Sequence, residues 1–264
     1  MTSVSSAPPS PLPGRGAAGR VLRFVAVPLL LVALWQAASS TGLTDLRELP
    51  APMTVAARAV AEWRSGALPE ALLASLARDL AGFALAALAG VPLGLALGLS
   101  PLFGRLVGPT FDGFKQVAIF AWIPLFGLWF GMGEGAKVAF IAAATFVPIT
   151  MNAWAGARAL PPALAEAADV LRFTPWQRLV WARLPAALPD IVAGLRVGLI
   201  SAWLATVGAE YFMSVAPGLG SLLITGRDLY AMDLVLVGVV VLGLTGVALD
   251  AVARRLGARL IRWT

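Results

Sequence analysis

The side chains that most often carry out chemistry in proteins are scarce in this sequence. Its 264 residues include no cysteine and no histidine. Thiolate or imidazole metal sites, disulfide frameworks, cysteine nucleophiles and serine–histidine pairs are therefore excluded. Only 13% of the residues are charged, whereas a soluble domain has about a quarter. This composition indicates a lipid bilayer rather than water as the surrounding medium.

Two ionisable side chains, Arg196 and Glu210, fall inside the stretch 190–212, which is otherwise apolar after its first residue, Asp190. They are 14 residues apart, about 21 Å along a helix, so they cannot pair with each other. An ionisable group at membrane depth suggests a role in a translocation pathway. Each also lies near one end of the stretch, where it could reach the interface or pair with another helix. The sequence leaves both roles open.

Three closely spaced glycines, Gly131, Gly133 and Gly135, could be mistaken for a phosphate-binding loop. The spacing GxGxxG is not met, and GxxxxGK fails because Ala136 separates Gly135 from Lys137. We interpret the glycines as a tight outer turn between two spans. We expect no nucleotide site and no cofactor in this chain.

Two tryptophans that precede this turn are candidates for lining a pathway. Trp122 and Trp129 are 7 residues apart and would share one face of a helix. Pro124 lies between them and interrupts the hydrogen-bond ladder of that helix.

Small residues recur at every fourth position in one apolar segment. Such a stripe lets another helix backbone approach closely, so it predicts a helix-packing face. Pro92 lies in the same segment and is expected to kink it. The residues of the stripe are Gly82, Ala86, Gly90, Gly94 and Gly98.

Uncharged windows locate the helices that must position these side chains. About 20 apolar residues cross the hydrocarbon core of a membrane, and four windows between charged residues hold 25, 18, 20 and 16 residues. Two further apolar segments are less clean. Together they predict an all-α integral membrane protein with six transmembrane helices, at about 21–40, 78–100, 113–132, 137–156, 190–211 and 232–251.

The first of these segments also resembles a signal peptide, because arginines precede it and small residues end it at 37–39. Pro28 inside the segment, Trp35 near its end and the five spans that follow favour an uncleaved first helix. Residues 1–20 are rich in Ser, Pro, Gly and Ala and are predicted to form a disordered cytoplasmic tail.

The distribution of Lys and Arg predicts the orientation. With the N-terminus inside, the inner segments carry 14 of these residues and the outer segments 6, which together make up the 20 in the chain. Both termini are therefore expected in the cytoplasm. The outer loop is then 41–74, with a surface helix near 53–65, the large inner loop is 157–189, and 252–264 is a basic tail.

The inner loop 157–189 is unusually rich in apolar and aromatic residues, among them Phe173, Trp176 and Trp181. A short amphipathic helix with exposed Trp and Leu, edged by arginines, could dock on a partner protein. It could equally lie on the membrane surface. The residue types by themselves favour neither reading.

The same loop resembles the EAA loop of ABC-importer permeases, which follows the pattern E-A-A-x3-G-x9-I-x-L-P. Arg172 stands where that family has Gly, and Ala182 stands where it usually has Ile. Because the Gly permits a turn that other residues resist, Arg172 puts the path of the loop in question. The matching residues are Glu166, Ala167, Ala168, Leu184 and Pro185.

Further stretches are similar to the subfamily that imports aliphatic sulfonates, taurine and nitrate. They are 49–52 (Leu-Pro-Ala-Pro), 75–83, 122–137 and 235–263. The resemblance thus extends over roughly 49–263.

The resemblance implies the type-1 ABC-importer transmembrane fold over 68–252 in a protein of the inner, or cytoplasmic, membrane. It implies a permease rather than an enzyme: a homodimer whose two copies form the translocation path, surrounded by membrane lipids and without nucleic acid. Two copies of a separate cytoplasmic ABC ATPase would bind ATP-Mg, and an extracytoplasmic solute-binding protein would deliver the solute. The residues that it implies for the ATPase contact are Glu166, Ala167, Ala168, Arg172, Phe173, Trp176, Leu184 and Pro185.

The sequence leaves two questions open, the class of transporter and the identity of the solute. A secondary transporter or channel without an ATPase is the alternative, but it needs ionisable groups within the membrane for ion coupling. Aliphatic sulfonate is the favoured solute, with nitrate or taurine next, although no cation at the centre of a span is evident that would recognise an anion.

Overall fold

A computed structural model of the chain describes residues 17–41, 49–213 and 216–260. Every regular element within these ranges is helical. Most of the expected tail 1–20 and the last four residues of the basic tail lie outside them. The helices are α1 Ala17–Ser40, α2 Pro52–Ser65, α3 Ala67–Leu99, α4 Pro101–Phe114, α5 Ile123–Phe130, α6 Glu134–Arg158, α7 Pro162–Val170, α8 Pro175–Gln177, α9 Leu184–Phe212, α10 Leu219–Asp228 and α11 Met232–Leu260.

Four helices of the described chain are long and apolar enough to cross a membrane. They are α3, α6, α11 and the continuous helical stretch Pro175–Phe212, in which a π-helical turn at 178–183 joins α8 to α9. A fifth span would be the pair formed by α4 and Ile119–Phe130, in which a short 3₁₀ helix at Ile119–Trp122 leads into α5. The two members of this pair are bent by 87°. In the part of α1 whose side chains are described, Leu29–Ser40 is a shorter apolar stretch. The helical membrane fold is confirmed, whereas the count of six spans stays a prediction.

Two spans differ from the boundaries that charge-free windows suggest. Helix α3 begins at Ala67 rather than near 78, because Arg78 and Asp79 are buried inside the helix bundle instead of marking its surface. The expected span 113–132 is broken, since α4 ends at Phe114 and Pro124 starts a new helix, α5, in its first turn.

The small-residue stripe of α3 packs against α6 of the same chain. A Cβ atom added at Gly94 would lie 2.5 Å from the carbonyl oxygen of Thr150 and 2.6 Å from the Cβ of Ala153. A Cβ at Gly98 would lie 2.4 Å from that of Ala157. The two helices run parallel, and their backbones approach closely because these positions have no side chain.

Helix α9 runs antiparallel to α6 and also meets it through glycine. A Cβ at Gly194 would lie 2.5 Å from that of Asn152, and one at Gly198 would lie 2.6 Å from Ile149. Helices α3, α6 and α9 therefore form a closely packed core, with α11 against the far side of α9, where Trp203 donates a hydrogen bond to the carbonyl of Leu242 at 3.1 Å.

The core has two distinct ends. The α10 end holds α2, α10 and the first turns of α3, α6 and α11, and there Val55 of α2 packs against Leu68, Leu219 and Val237. The α7 end holds α7, α8 and the last turns of α3, α6 and α11. In the predicted orientation, the α10 end faces outward and the α7 end faces the cytoplasm.

Candidate functional site

The α7 end carries a group of large apolar side chains that the chain itself leaves uncovered. Trp176 and Trp181 are 71% and 72% exposed, and Val170 is 82% exposed. Leu164 and Leu171 of the same segment are also exposed. We call these five residues the docking face. Two tryptophans on such a surface are typical of a contact with a partner protein or with lipid headgroups.

The turn between α7 and α8 contains Arg172 in a left-handed conformation, with φ of 49°. The N–H of Phe173 donates to the carbonyl of Ala168 at 3.0 Å, and the N–H of Arg172 donates to that of Asp169 at 3.0 Å. These two bonds are a Schellman motif, in which glycine is the usual residue at the left-handed position. The chain therefore makes the turn that a glycine would make, despite the arginine.

Two further contacts fix this segment. The hydroxyl of Thr174 accepts a hydrogen bond from the N–H of Gln177, whose side chain accepts one from the N–H of Thr174, so α8 begins with a capping box. Arg178 forms an ion pair with Asp169 and ties the π-helical turn back to α7. The backbone that carries the docking face is thus held by local hydrogen bonds and an ion pair.

The other residues named from the EAA resemblance lie in the same segment with different exposures. Glu166 and Ala167 are exposed, Ala168 is buried, and Phe173 and Leu184 are half-buried. Pro185 is exposed in the first turn of α9. Only part of the sequence pattern is therefore accessible to another molecule, and the buried part supports the fold of the segment.

The α10 end holds a cluster of charged side chains inside the bundle. The carboxylate of Glu210 is fully buried and accepts hydrogen bonds from Arg78 Nη1 at 2.6 Å and from the Ser75 hydroxyl at 2.7 and 2.9 Å. The backbone N–H of Gly220 donates to it at 2.8 Å. Because Gly220 lies in the first turn of α10, the carboxylate also satisfies a helix N-terminus.

The guanidinium of Arg78 is shared with a second carboxylate. Its Nε and Nη2 donate to the two oxygens of Glu134 at 2.5 and 2.9 Å. The ammonium of Lys137, fully buried, lies 3.5 Å from the same carboxylate and has no hydrogen-bond partner among the described residues. The side chain of Glu134 is 55% exposed. We call Ser75, Arg78, Glu134, Lys137 and Glu210 the buried ionic cluster.

Sequence reasoning identified only Glu210 of this cluster as a candidate functional residue. Arg78 is the first residue of the predicted span 78–100, and Glu134 and Lys137 lie within or next to the predicted turn at Gly131, Gly133 and Gly135. A signal was present in the sequence, since Glu134 and Lys137 both fall in the first turn of one apolar helix, and Arg78 and Asp79 directly precede a long uncharged window. Asp79 is also fully buried, with the Thr206 hydroxyl 3.4 Å from its Oδ1 and no hydrogen-bond partner for its Oδ2 in the described part of the chain.

The other candidate pathway residues lie apart from the cluster. Arg196 is paired with Asp250 of α11 at 2.8 Å and its side chain is 43% exposed. Trp122 and Trp129 line a cavity of about 510 Å³ with Phe126. The structure therefore does not bring the four residues proposed for a pathway into one site. Within the described residues, no group of acidic side chains is arranged to hold a metal ion.

The family described as "Binding-protein-dependent transport system inner membrane component" matches residues 90–262. A Bacillus subtilis (strain 168) protein named as an aliphatic sulfonates transport permease is 32% identical, over 95% of this chain and 90% of that protein. The taurine transport system permease protein of Escherichia coli (strain K12) is 32% identical, over 89% and 86%. The chain therefore belongs to this family, as an ABC-importer permease of the sulfonate, taurine and nitrate type.

The fold agrees with a solved importer structure. A chain of the MetNI methionine ABC transporter in an inward-facing conformation superposes with a TM-score of 0.60, covering 73% of this chain and 93% of that one, at 20% sequence identity. This is the type-1 importer transmembrane fold.

Other relatives are about as similar in sequence as the sulfonate and taurine permeases. Two of them, 32% and 33% identical to this chain, are named for transport of bicarbonate and of riboflavin.

Proposed function

We propose that two copies of this chain form the translocation path of an ATP-driven importer for a small anionic solute, in first place an aliphatic sulfonate. Relatives named for sulfonate and taurine transport support this choice. Nitrate and taurine come next. Because relatives of similar identity carry names for other solutes, including one that is not a simple anion, the solute is the part of the proposal that most needs a direct test.

The docking face carries the proposal. The sequence has neither of the common nucleotide-binding loops, so ATP must be bound by another subunit, and that subunit needs a surface through which to move this one. Trp176 and Trp181 supply exposed aromatic area on an ordered base, with the exposed carboxylate of Glu166 close by in sequence. In the assembly, each copy of the chain places this face on one of two ATPase subunits in the cytoplasm.

The α10 end is then the outer end, where an extracytoplasmic binding protein delivers the solute. This assignment follows the charge count that places both termini in the cytoplasm. Closure of the two ATPases would bias an equilibrium between inward-open and outward-open states through the docking face.

Co-purification and uptake test the proposal together. The ATPase subunit encoded with this chain is expected to co-purify with the wild-type protein, and ATP is expected to drive uptake of a labelled sulfonate in proteoliposomes that contain both. Replacing Trp176 and Trp181 with serine should abolish co-purification. The matched control is Trp63→Ser, which removes a tryptophan that is 58% exposed at the opposite end of the core. Equal loss in the control, or wild-type binding by the double variant, would contradict the docking role.

A secondary transporter is the second candidate, because the structure buries more ionisable groups than the sequence indicated. Asp79, Lys137 and Glu210 are fully buried near one end of the bundle, and such groups are common in ion-coupled transport. Uptake driven by a proton or sodium gradient in liposomes that contain only this chain would support that function. Uptake that requires the ATPase and ATP would support the importer.

A further inference from the structure

We propose that Arg78 and Lys137 form a binding site for one small oxoanion at the α10 end, and that the chain's own Glu134 occupies it in this conformation. The inference rests on the proposed import of anionic solutes and concerns how this subunit recognises them. The sulfonate or carboxylate group of a solute would take the place of the Glu134 carboxylate.

The geometry around Glu134 is that of a bound oxoanion. Its two oxygens accept from two donors of one guanidinium, Arg78 Nε and Nη2, at 2.5 and 2.9 Å. This two-point pairing is how arginine recognises carboxylate and similar groups. The oxygen that accepts from Nη2, Oε1, also lies 3.5 Å from Lys137 Nζ. Glu134 begins α6, where unpaired N–H groups favour negative charge.

The two cations are buried, and the anion between them is not. Arg78 is 6% exposed and Lys137 is fully buried, whereas the side chain of Glu134 is 55% exposed. Among the residues that the structure describes, Lys137 Nζ has no hydrogen-bond partner. A buried ammonium without a hydrogen bond is costly, so the site has an unused donor for an incoming oxygen atom.

The charge balance calls for a single anion. Glu210 neutralises one of the two cations through Arg78 Nη1 at 2.6 Å. With Glu134 withdrawn, Arg78, Lys137 and Glu210 together carry one net positive charge. The neighbouring Asp79 carboxylate accepts from the Thr206 hydroxyl at 3.4 Å instead, and among the described residues it forms no ion pair with Arg78 or Lys137.

The backbone that precedes Glu134 can move, and such a movement would take the Glu134 carboxylate out of the site. It follows Gly131 and Gly133, and a Cβ atom added at either position would meet nothing within 4 Å. The backbone there is thus uncrowded by other side chains, and Gly131 has a positive φ of 71°. A small rotation of this segment would carry the carboxylate into solvent and open the site from the outer surface.

Thermal unfolding of the purified chain in detergent tests the site without transport. In Glu134→Gln the site keeps its shape but lacks its anion, so sodium methanesulfonate should raise the unfolding temperature by about 3 °C at a tenfold excess over its Kd. The neutral analogue dimethyl sulfone should have no effect. The wild-type protein should respond little, because Glu134 competes for the site.

Two matched variants separate the site from general salt effects. Glu134→Gln combined with Lys137→Met removes the excess positive charge and should abolish the response to methanesulfonate. Glu70→Gln removes an exposed carboxylate at the same end of the molecule and should behave as wild type. An equal response in Glu70→Gln and in Glu134→Gln would overturn the proposal.

The remaining outcomes are also decisive. Recovery of folded Glu134→Gln only when methanesulfonate is present during purification would support the site. No response to methanesulfonate, or a failure to fold with and without it, would refute it, since the added anion should replace the lost carboxylate. A failure of ATP-driven uptake would count against the proposed function, while the unfolding measurement stands independently of it.

Discussion

Arg78 and Glu210 are 132 residues apart in the chain, and their side chains meet inside the bundle at 2.6 Å. The contact joins the N-terminal half of α3 to the end of α9, and through Gly220 it also holds the start of α10. The contact therefore helps to hold α10 against the helix core. Removing one partner of a buried ion pair leaves an uncompensated charge, which costs far more than the pair contributes.

Glu210→Ala is therefore expected to lower the free energy of unfolding by about 3–5 kcal/mol. The variant leaves the Ser75 hydroxyl proton and Arg78 Nη1 without the acceptor that they share in the wild-type protein. Replacing both partners, as Arg78→Met with Glu210→Leu, should recover part of the loss because neither charge is left buried. Thermal unfolding in detergent measures both, and a double variant less stable than Glu210→Ala would contradict this account.

The stripe of small residues gives a second prediction. A side chain at Gly94 would strike the backbone carbonyl of Thr150, which cannot rotate away, so Gly94→Leu should destabilise the α3–α6 contact by about 1–3 kcal/mol or more. Membrane insertion should survive while folding in detergent fails. Gly113→Leu is the control, since a Cβ there meets nothing within 4 Å. Equal stability of the two variants would show that the stripe does not carry the packing.

A substitution at Arg172 is expected to stabilise the protein, in contrast to Glu210→Ala and Gly94→Leu. Its left-handed conformation costs a non-glycine residue about 1 kcal/mol, so Arg172→Gly should stabilise the turn after α7 by a similar amount. Hydrogen exchange of the Arg172 and Phe173 amides should slow about fivefold. Arg183→Gly, in a helical stretch, should instead speed local exchange. Faster exchange in Arg172→Gly would mean that the arginine side chain itself holds the turn.

Glu166 tests the coupling role. An exposed carboxylate can accept charge-assisted hydrogen bonds from a basic group of the ATPase, and lysine would replace attraction with repulsion. Glu166→Lys should insert normally, bind the ATPase about tenfold more weakly or worse, and uncouple hydrolysis from uptake. Glu166→Gln should be milder. Glu70→Lys, at the other end of the core, should behave as wild type, and wild-type binding by Glu166→Lys would remove this residue from the contact.

The orientation can be mapped with single cysteines because the chain has none of its own. Cysteine at Ser65 or at Tyr230, which is 85% exposed, should react with an impermeant thiol reagent in intact cells. Cysteine at Thr174 or Ala258 should react only after the membrane is opened. Labelling at Thr174 from outside would reverse the proposed assignment of the two ends.

Sequence features that lie within single segments of the chain were sufficient to predict that this is a membrane protein. Apolar length, charge distribution and the scarcity of polar side chains predict an all-helical membrane protein, because a backbone in hydrocarbon must satisfy its own hydrogen bonds. The surface helix expected near 53–65 lies at Pro52–Ser65. The pattern from Glu166 to Pro185 was sufficient to identify the permease family, since its residues are close together in sequence.

Only the tertiary structure decided which side chains meet. The partner of Glu210 lies 132 residues away, and no periodicity along one helix encodes such a pairing. The same is true of Arg78, which marks the edge of a span in the sequence but is buried within α3 by partners on α6 and α9. The energy of a buried charge depends on what surrounds it in three dimensions, and the order of residues along the chain does not specify that surrounding.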